Sequence, residues 1–106
     1  MKNYDKAIEF YQKAVEIDSN RPTSWKWLGL CYMSTNNDKA ALECYKKSLE
    51  LNSDDAQTWV FLCRLLTKNE MYAEALQAYD KAVELAPENK SIREARDKVA
   101  SQVNKS

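Results

Sequence analysis

The sequence predicts an all-α protein of about six antiparallel helices that stack as tandem repeats. Its 106 residues repeat with a period of 34, and apolar residues recur at helical spacing in six segments. One glycine and two prolines are few for this length, which favours long helices joined by short turns. Such a period is typical of a solenoid, in which each unit buries its apolar face only against its neighbours.

The period is visible in columns of equivalent residues. The columns are Ala7, Ala41 and Ala75; Tyr11, Tyr45 and Tyr79; Ala14, Ser48 and Ala82; Lys13, Lys47 and Lys81; and Trp25 with Trp59.

The first three helices follow from apolar spacing and end signals. The first is expected from about Asn3 to Ile17, with Asn3 as the N-cap. The second opens at Pro22, whose fixed φ suits a first helical turn. It ends in a polar turn where Asn36 can take the left-handed conformation. The third, about Asp38 to Leu51, repeats the first column by column.

The last three helices continue the pattern. Asp54 or Asp55 is expected to cap a fourth helix that repeats the second. A fifth, from about Tyr72 to Leu85, repeats the first again and stops before a proline. Asn89 can cap the sixth helix.

The spacing of the large and small residues resembles the tetratricopeptide repeat. The residues that carry the resemblance are Trp25-x-x-Leu28-Gly29-x-x-Tyr32 with Ala41-x-x-x-Tyr45-x-x-Ser48, and Trp59-x-x-Leu62-Cys63-x-x-Leu66 with Ala75-x-x-x-Tyr79-x-x-Ala82. The resemblance implies a helix-hairpin solenoid in a single domain. Residues 1–21 would be half a repeat, 22–55 and 56–89 two full repeats, and 90–106 a capping helix.

The two ends of this array are expected to differ. The sixth helix carries Arg93, Arg96 and Asp97 where the repeat would have Trp, Leu and Gly, which is typical of a polar cap. The first helix resembles the second helix of a repeat whose first helix is missing. Its open stripe predicts either a fragment of a longer array or an interface, including self-association between copies. The candidate self-association residues are Tyr4, Ile8, Tyr11 and Val15.

The residues disfavour catalysis, metal binding and any cofactor. The chain has no histidine, and its single glycine allows no phosphate-cradling loop. Cys31, Cys44 and Cys63 are too scattered for a zinc pattern and are expected to be small buried apolar residues. We therefore expect no enzyme.

The composition also limits which classes of partner, and which cellular compartment, are expected. Sixteen basic residues balance sixteen acidic ones, whereas a nucleic-acid binder needs a basic excess against phosphate. No apolar stretch approaches the roughly 18 residues of a membrane span, and the first residues lack the apolar segment of a signal peptide. Three cysteines, an odd number, fit a reducing compartment. We therefore expect a cytoplasmic protein.

The resemblance further implies a concave groove that holds a peptide. It would be lined by the first helix of each repeat. The candidate peptide-binding residues are Lys26, Trp27, Leu30, Met33, Gln57, Val60, Phe61, Arg64 and Lys68. These residues are apolar and aromatic with a basic fringe, which predicts an apolar anchor and acidic flanks in the peptide. Packing of Trp27 and Phe61 against adjacent helices is an equally weighted alternative.

Two further partners are disfavoured within this resemblance. Chaperone-binding members hold a carboxylate with lysine, asparagine and arginine at fixed places. Lys26 fits that pattern, but Leu30, Phe61, Ser91 and Ala95 do not. RNA binding would require a stronger basic stripe than these helices offer. The leading expectation is a non-catalytic protein-interaction module, and the alternative is a self-assembly element.

Overall fold

The structure, a computed structural model, describes residues 3–105 and is helical with short connections. The six helices are α1 (Tyr4–Ile17), α2 (Pro22–Ser34), α3 (Asp38–Leu51), α4 (Ala56–Lys68), α5 (Tyr72–Leu85) and α6 (Lys90–Val103). No strand occurs among these described residues. The all-α prediction is confirmed.

The helices form two compact units. The first unit ends at Ser53 and contains α1–α3, with α2 packed against both α1 and α3. The second unit begins at Asp54 and contains α4–α6, with α5 packed against both α4 and α6.

A close helix crossing forms the core of the first unit. Tyr45 of α3 is fully buried, and its ring lies against the backbone of Gly29 in α2. A Cβ atom added to Gly29 would lie 2.7 Å from Cε1 of Tyr45 and 3.2 Å from Cβ of Cys44. The glycine is therefore required by the close approach of the two helices.

The second unit fills the equivalent positions with an exchange of side-chain size. Cys63 stands 34 residues after Gly29, and Ala78 stands 34 residues after Cys44. Both Cys63 and Ala78 are buried. The cysteine is therefore on α3 in the first unit and on α4 in the second. Each unit has one larger and one smaller residue at these two positions. This exchange explains why glycine is absent from the second repeat.

Side chains cap three of the helix N-termini. Carboxamide oxygens of Asn3 and Asn89 accept hydrogen bonds from the backbone N–H groups of Lys6 and Ile92, each at 3.2 Å. Asp55 accepts from the N–H of Gln57 at 3.1 Å and from the hydroxyl of Thr58 at 2.8 Å. The structure therefore selects Asp55 over Asp54 as the cap of α4.

A left-handed residue lies in the turn after each of helices α2 and α4. Asn36 has φ 64° and Glu70 has φ 59°. After each, the next residue donates its N–H five residues back, from Asn37 to Tyr32 at 2.8 Å and from Met71 to Leu66 at 2.9 Å. Asparagine tolerates this conformation, but glutamate is strained in it.

Replacing Gly29 with alanine should destabilise the chain by about 1–3 kcal/mol, because the new methyl group overpacks against a buried ring. Urea unfolding measures the effect. In a Tyr45→Ala background the same change should become neutral or slightly stabilising, since alanine is the better helix former. A stabilised Gly29→Ala single variant would contradict the close crossing.

Replacing Glu70 with glycine should stabilise the chain by about 1 kcal/mol, because glycine adopts positive φ without steric strain. Asn36→Gly is the matched control and should change the unfolding free energy less. Thermal unfolding of the two variants compares them directly. Equal effects, or a loss of stability in Glu70→Gly alone, would show that the turn is not strained.

Candidate functional site

A cleft with a volume of about 510 Å³ lies between α1 and α2 in the first unit. Its lining is Asn3, Tyr4, Ala7, Tyr11, Trp27, Leu30, Cys31 and Ser34. The structure thus brings together residues from both predicted sets. Trp27 and Leu30 come from the candidate peptide-binding residues, whereas Tyr4 and Tyr11 come from the candidate self-association residues.

Helical spacing explains why these side chains share one cleft. Trp27, Leu30 and Ser34 are three and four residues apart, so they project from one side of α2. Tyr4, Ala7 and Tyr11 have the same spacing on α1, and alanine leaves space between the two tyrosines. The cleft therefore combines three aromatic rings with an aliphatic side chain and hydroxyl groups.

Polar contacts fix α1 and its following turn against α2. The carboxamide of Gln12 donates to the hydroxyl of Tyr32 at 2.7 Å. The indole N–H of Trp25 donates to the carbonyl of Ser19 at 2.9 Å. Trp25 therefore ties the turn after α1 to α2.

Lys26 lies against Trp27 rather than extending freely into solvent. Only 9% of the residue is exposed, and its ammonium group lies 5.1 Å from the centroid of the Trp27 ring. A cation at this distance is attracted to the face of an indole ring. The contact orients one wall of the cleft and places positive charge beside it.

The remaining candidate residues of α2 and α4 lie outside this cleft lining. Met33 is half-buried, and its sulfur lies 4.0 Å from the hydroxyl of Tyr45. The other candidates belong to the second unit. There Val60 and Phe61 are half-buried, whereas Gln57, Arg64 and Lys68 are exposed.

Sequence reasoning missed parts of the cleft and of α1. Ala7 and Cys31 line the cleft but were not among the candidate residues. The helical spacing of Trp27, Leu30, Cys31 and Ser34 could have revealed Cys31.

On α1, the four candidate self-association residues are half-buried. The more exposed apolar side chains are Phe10 and Ile17, whose separation of seven residues places them on one side of the helix.

Comparison with known families gives a match over residues 1–82. The matching family is described as anaphase-promoting complex, cyclosome, subunit 3, and its repeats are of the tetratricopeptide type. The chain belongs to this tetratricopeptide-repeat family. Membership of this family identifies the chain as a protein–protein interaction module. No curated protein sequence matches it significantly.

Solved structures of tetratricopeptide-repeat domains share this fold at low sequence identity. The first TPR of Spaghetti (RPAP3), bound to the HSP90 peptide SRMEEVD, gives a TM-score of 0.87 at 20% identity, over 95% of this chain and 82% of that one. The Arabidopsis OM64 TPR domain gives a TM-score of 0.84 at 18% identity, over 91% of this chain and 79% of that one. MamA gives 0.78 at 21% identity, over 91% of this chain and 64% of that one.

The three thiols of this tetratricopeptide-repeat chain are free and buried. Burial raises the pKa of Cys31, and burial together with the negative charge of Glu43 raises the pKa of Cys44 to about 12. Burial likewise raises the pKa of Cys63 to about 12. Within residues 3–105, no cluster of cysteine and carboxylate side chains could hold a metal ion, and no helix is long and apolar enough to cross a membrane.

The free energy of unfolding should fall as the pH rises from about 9 towards 12. The ordinary pKa of 9.0 applies to the unfolded thiols, whereas Cys44 and Cys63 keep their protons in the folded state up to about 12. Higher pH therefore favours the unfolded chain. Urea midpoints at pH 8 and pH 10.5 measure this. A Cys44→Ala, Cys63→Ala double variant should show a smaller decrease, and an unchanged decrease would contradict a thiol contribution.

Proposed function

We propose that this chain is a non-catalytic adaptor that binds an extended peptide segment of a partner protein. An apolar or aromatic side chain of that peptide enters the cleft between α1 and α2. The observation that carries the proposal is the convergence of Tyr4, Tyr11, Trp27 and Leu30 on one open cleft.

The size and chemistry of the cleft support an apolar anchor. A volume of about 510 Å³ lies within the range of pockets that bury small ligands, about 300–1,000 Å³. Aromatic side chains supply much of the binding energy in such sites because they bury a large area at low entropic cost. The hydroxyls of Tyr4, Tyr11 and Ser34 can bond the backbone of an extended peptide, whose polar groups lack internal partners.

Basic side chains support acidic residues beside the anchor. Lys26 places its charge next to the Trp27 ring. In the second unit, Arg64 and Lys68 are exposed on α4 together with Gln57, and the half-buried Val60 and Phe61 stand on the same helix. We propose that this α4 set forms a peptide-contacting surface of the second unit, and that Met33 on α2 contributes to peptide binding in the first.

The proposed peptide is not a chaperone C-terminus. Spaghetti (RPAP3) is bound to an HSP90 peptide in its structure, but a likeness at 20% identity concerns the fold alone. In this chain Leu30, Phe61 and Ser91 stand where the carboxylate-binding pattern requires other side chains. An internal segment of the partner therefore suits the cleft better than its terminal carboxylate.

Self-association through the first helix receives less support as an alternative. Tyr4, Ile8, Tyr11 and Val15 are half-buried, and two of them line the cleft. The cytoplasmic setting also remains a proposal, supported by three free thiols. RNA binding remains disfavoured by the balanced charge.

Selection from a displayed library of random 12-residue peptides tests the proposed function. Selected peptides should share an apolar or aromatic residue with acidic neighbours. Their affinity should fall at least tenfold in Trp27→Ala and in Leu30→Glu, because each change removes part of the anchor contact. Fluorescence anisotropy of a labelled peptide measures the affinity.

Ile17→Ala is the matched control, because Ile17 is apolar and exposed but does not line the cleft. It should bind as well as the unaltered chain. Circular dichroism establishes that each variant is folded. Full affinity in a folded Trp27→Ala chain would mean that Trp27 only packs against adjacent helices, and would contradict the proposed site.

A further inference from the structure

The outer side of α1 presents apolar side chains that no helix covers in the first unit. Phe10 is 65% exposed and Ile17 is 87% exposed. They are seven residues apart, which is about two helical turns, so they lie on one side of α1. Gln12 contacts α2 through Tyr32, and Phe10 is two residues, or about 200°, away from it. This side therefore faces away from α2, and it meets the cleft lining where Phe10 packs edge-to-face on Tyr11, with ring centroids 5.1 Å apart.

Equivalent positions in the other repeats are covered. Cys44 and Ala78 stand 34 and 68 residues after Phe10, and both are buried. Cys44 of α3 is covered by α2. The two helices approach so closely that a Cβ atom added to Gly29 of α2 would lie 3.2 Å from Cβ of Cys44. A helix that approached α1 at this distance would collide with the Phe10 ring. An occupant of the α1 surface must lie farther away and surround Phe10 with its own side chains.

Two lysines border the same surface. Lys6 and Lys13 are exposed, seven residues apart, and form no ion pair within 4.0 Å among residues 3–105. By contrast, the equivalents of Lys13 are paired: Lys47 lies 3.9 Å from Glu50, and Lys81 lies 3.9 Å from Glu84. We name Lys6, Phe10, Lys13 and Ile17 together the outer α1 face.

We propose that the outer α1 face binds an amphipathic helix of a partner protein whose apolar stripe is flanked by Asp or Glu. Phe10 and Ile17 are about two helical turns apart, and so are Lys6 and Lys13. This separation matches the spacing of side chains on a second helix aligned with α1. Carboxylates on the partner complement the two lysines. An antiparallel two-fold pair of this chain would instead place these lysines beside those of the second copy, where like charges repel.

Three matched synthetic peptides test the proposal. Each has 20 residues with leucine and alanine on one side of the helix, and glutamate, glutamine or lysine along both edges. The glutamate peptide should bind at least tenfold more tightly than the lysine peptide, and added salt should reduce the difference. The glutamine peptide should be intermediate. Fluorescence anisotropy of labelled peptides gives the affinities.

Two variants define the surface. Lys6→Glu with Lys13→Glu should reverse the preference, so that the lysine peptide binds best, while Ile17→Asp should weaken the glutamate peptide at least tenfold. Lys39→Glu with Lys46→Glu changes the same net charge on α3 and should preserve the original preference. Peptides selected for the cleft should bind all these variants normally, which separates this inference from the proposed function.

Several results would overturn the proposal. One is equal affinity for the three peptides, and another is a preference that the Lys6 and Lys13 reversals leave unchanged. Sedimentation equilibrium that shows an Ile17-dependent dimer would assign the surface to a second copy instead. Binding to vesicles of anionic phospholipid, with no binding to the glutamate peptide, would assign it to a membrane surface.

Discussion

The contact between the Tyr45 ring and the bare backbone of Gly29 sets the arrangement of the first unit. It fixes how closely α3 approaches α2, because no Cβ atom separates the ring from the helix. Trp27 is two residues from Gly29, so the two positions lie on opposite sides of α2. Because Gly29 faces α3, Trp27 faces away from α3. At the equivalent positions of the second unit, the larger side chain is Cys63 on α4 and the smaller is Ala78 on α5, and both are buried.

The cleft depends on how α1 meets this α2. Gln12 bonds Tyr32, which holds α1 beside α2, while the small Ala7 leaves space between Tyr4 and Tyr11. The interaction of the Lys26 ammonium with Trp27 adds positive charge to one wall. The side chains of the proposed binding site thus project from the sides of α1 and α2 that do not pack in the core. The outer α1 face lies on another side of the same helix and meets the cleft lining where Phe10 packs on Tyr11.

The sequence predicted the fold in detail and the site only in part. Periodicity located six helices, and asparagine or aspartate before an apolar run identified the caps at Asn3 and Asn89. The choice between Asp54 and Asp55 depended on side-chain geometry that spacing alone cannot provide. Periodicity also assigned Tyr11 and Trp27 to separate surfaces, because it compares equivalent positions and does not show which side chains from different helices converge. The burial of Lys26 was missed because residue type suggests a solvated lysine, whereas in the structure the residue is buried and its ammonium group lies over the Trp27 ring.

The indole N–H signals of the three tryptophans test the proposed cleft most directly. A ¹⁵N-labelled chain would be titrated with the tightest peptide from the displayed library. Trp27 lines the cleft, whereas Trp25 donates its indole N–H to Ser19 and Trp59 belongs to the second unit. We predict the largest shift at Trp27, with Trp25 nearly unchanged. A saturating peptide that shifts Trp25 or Trp59 and leaves Trp27 in place would contradict it.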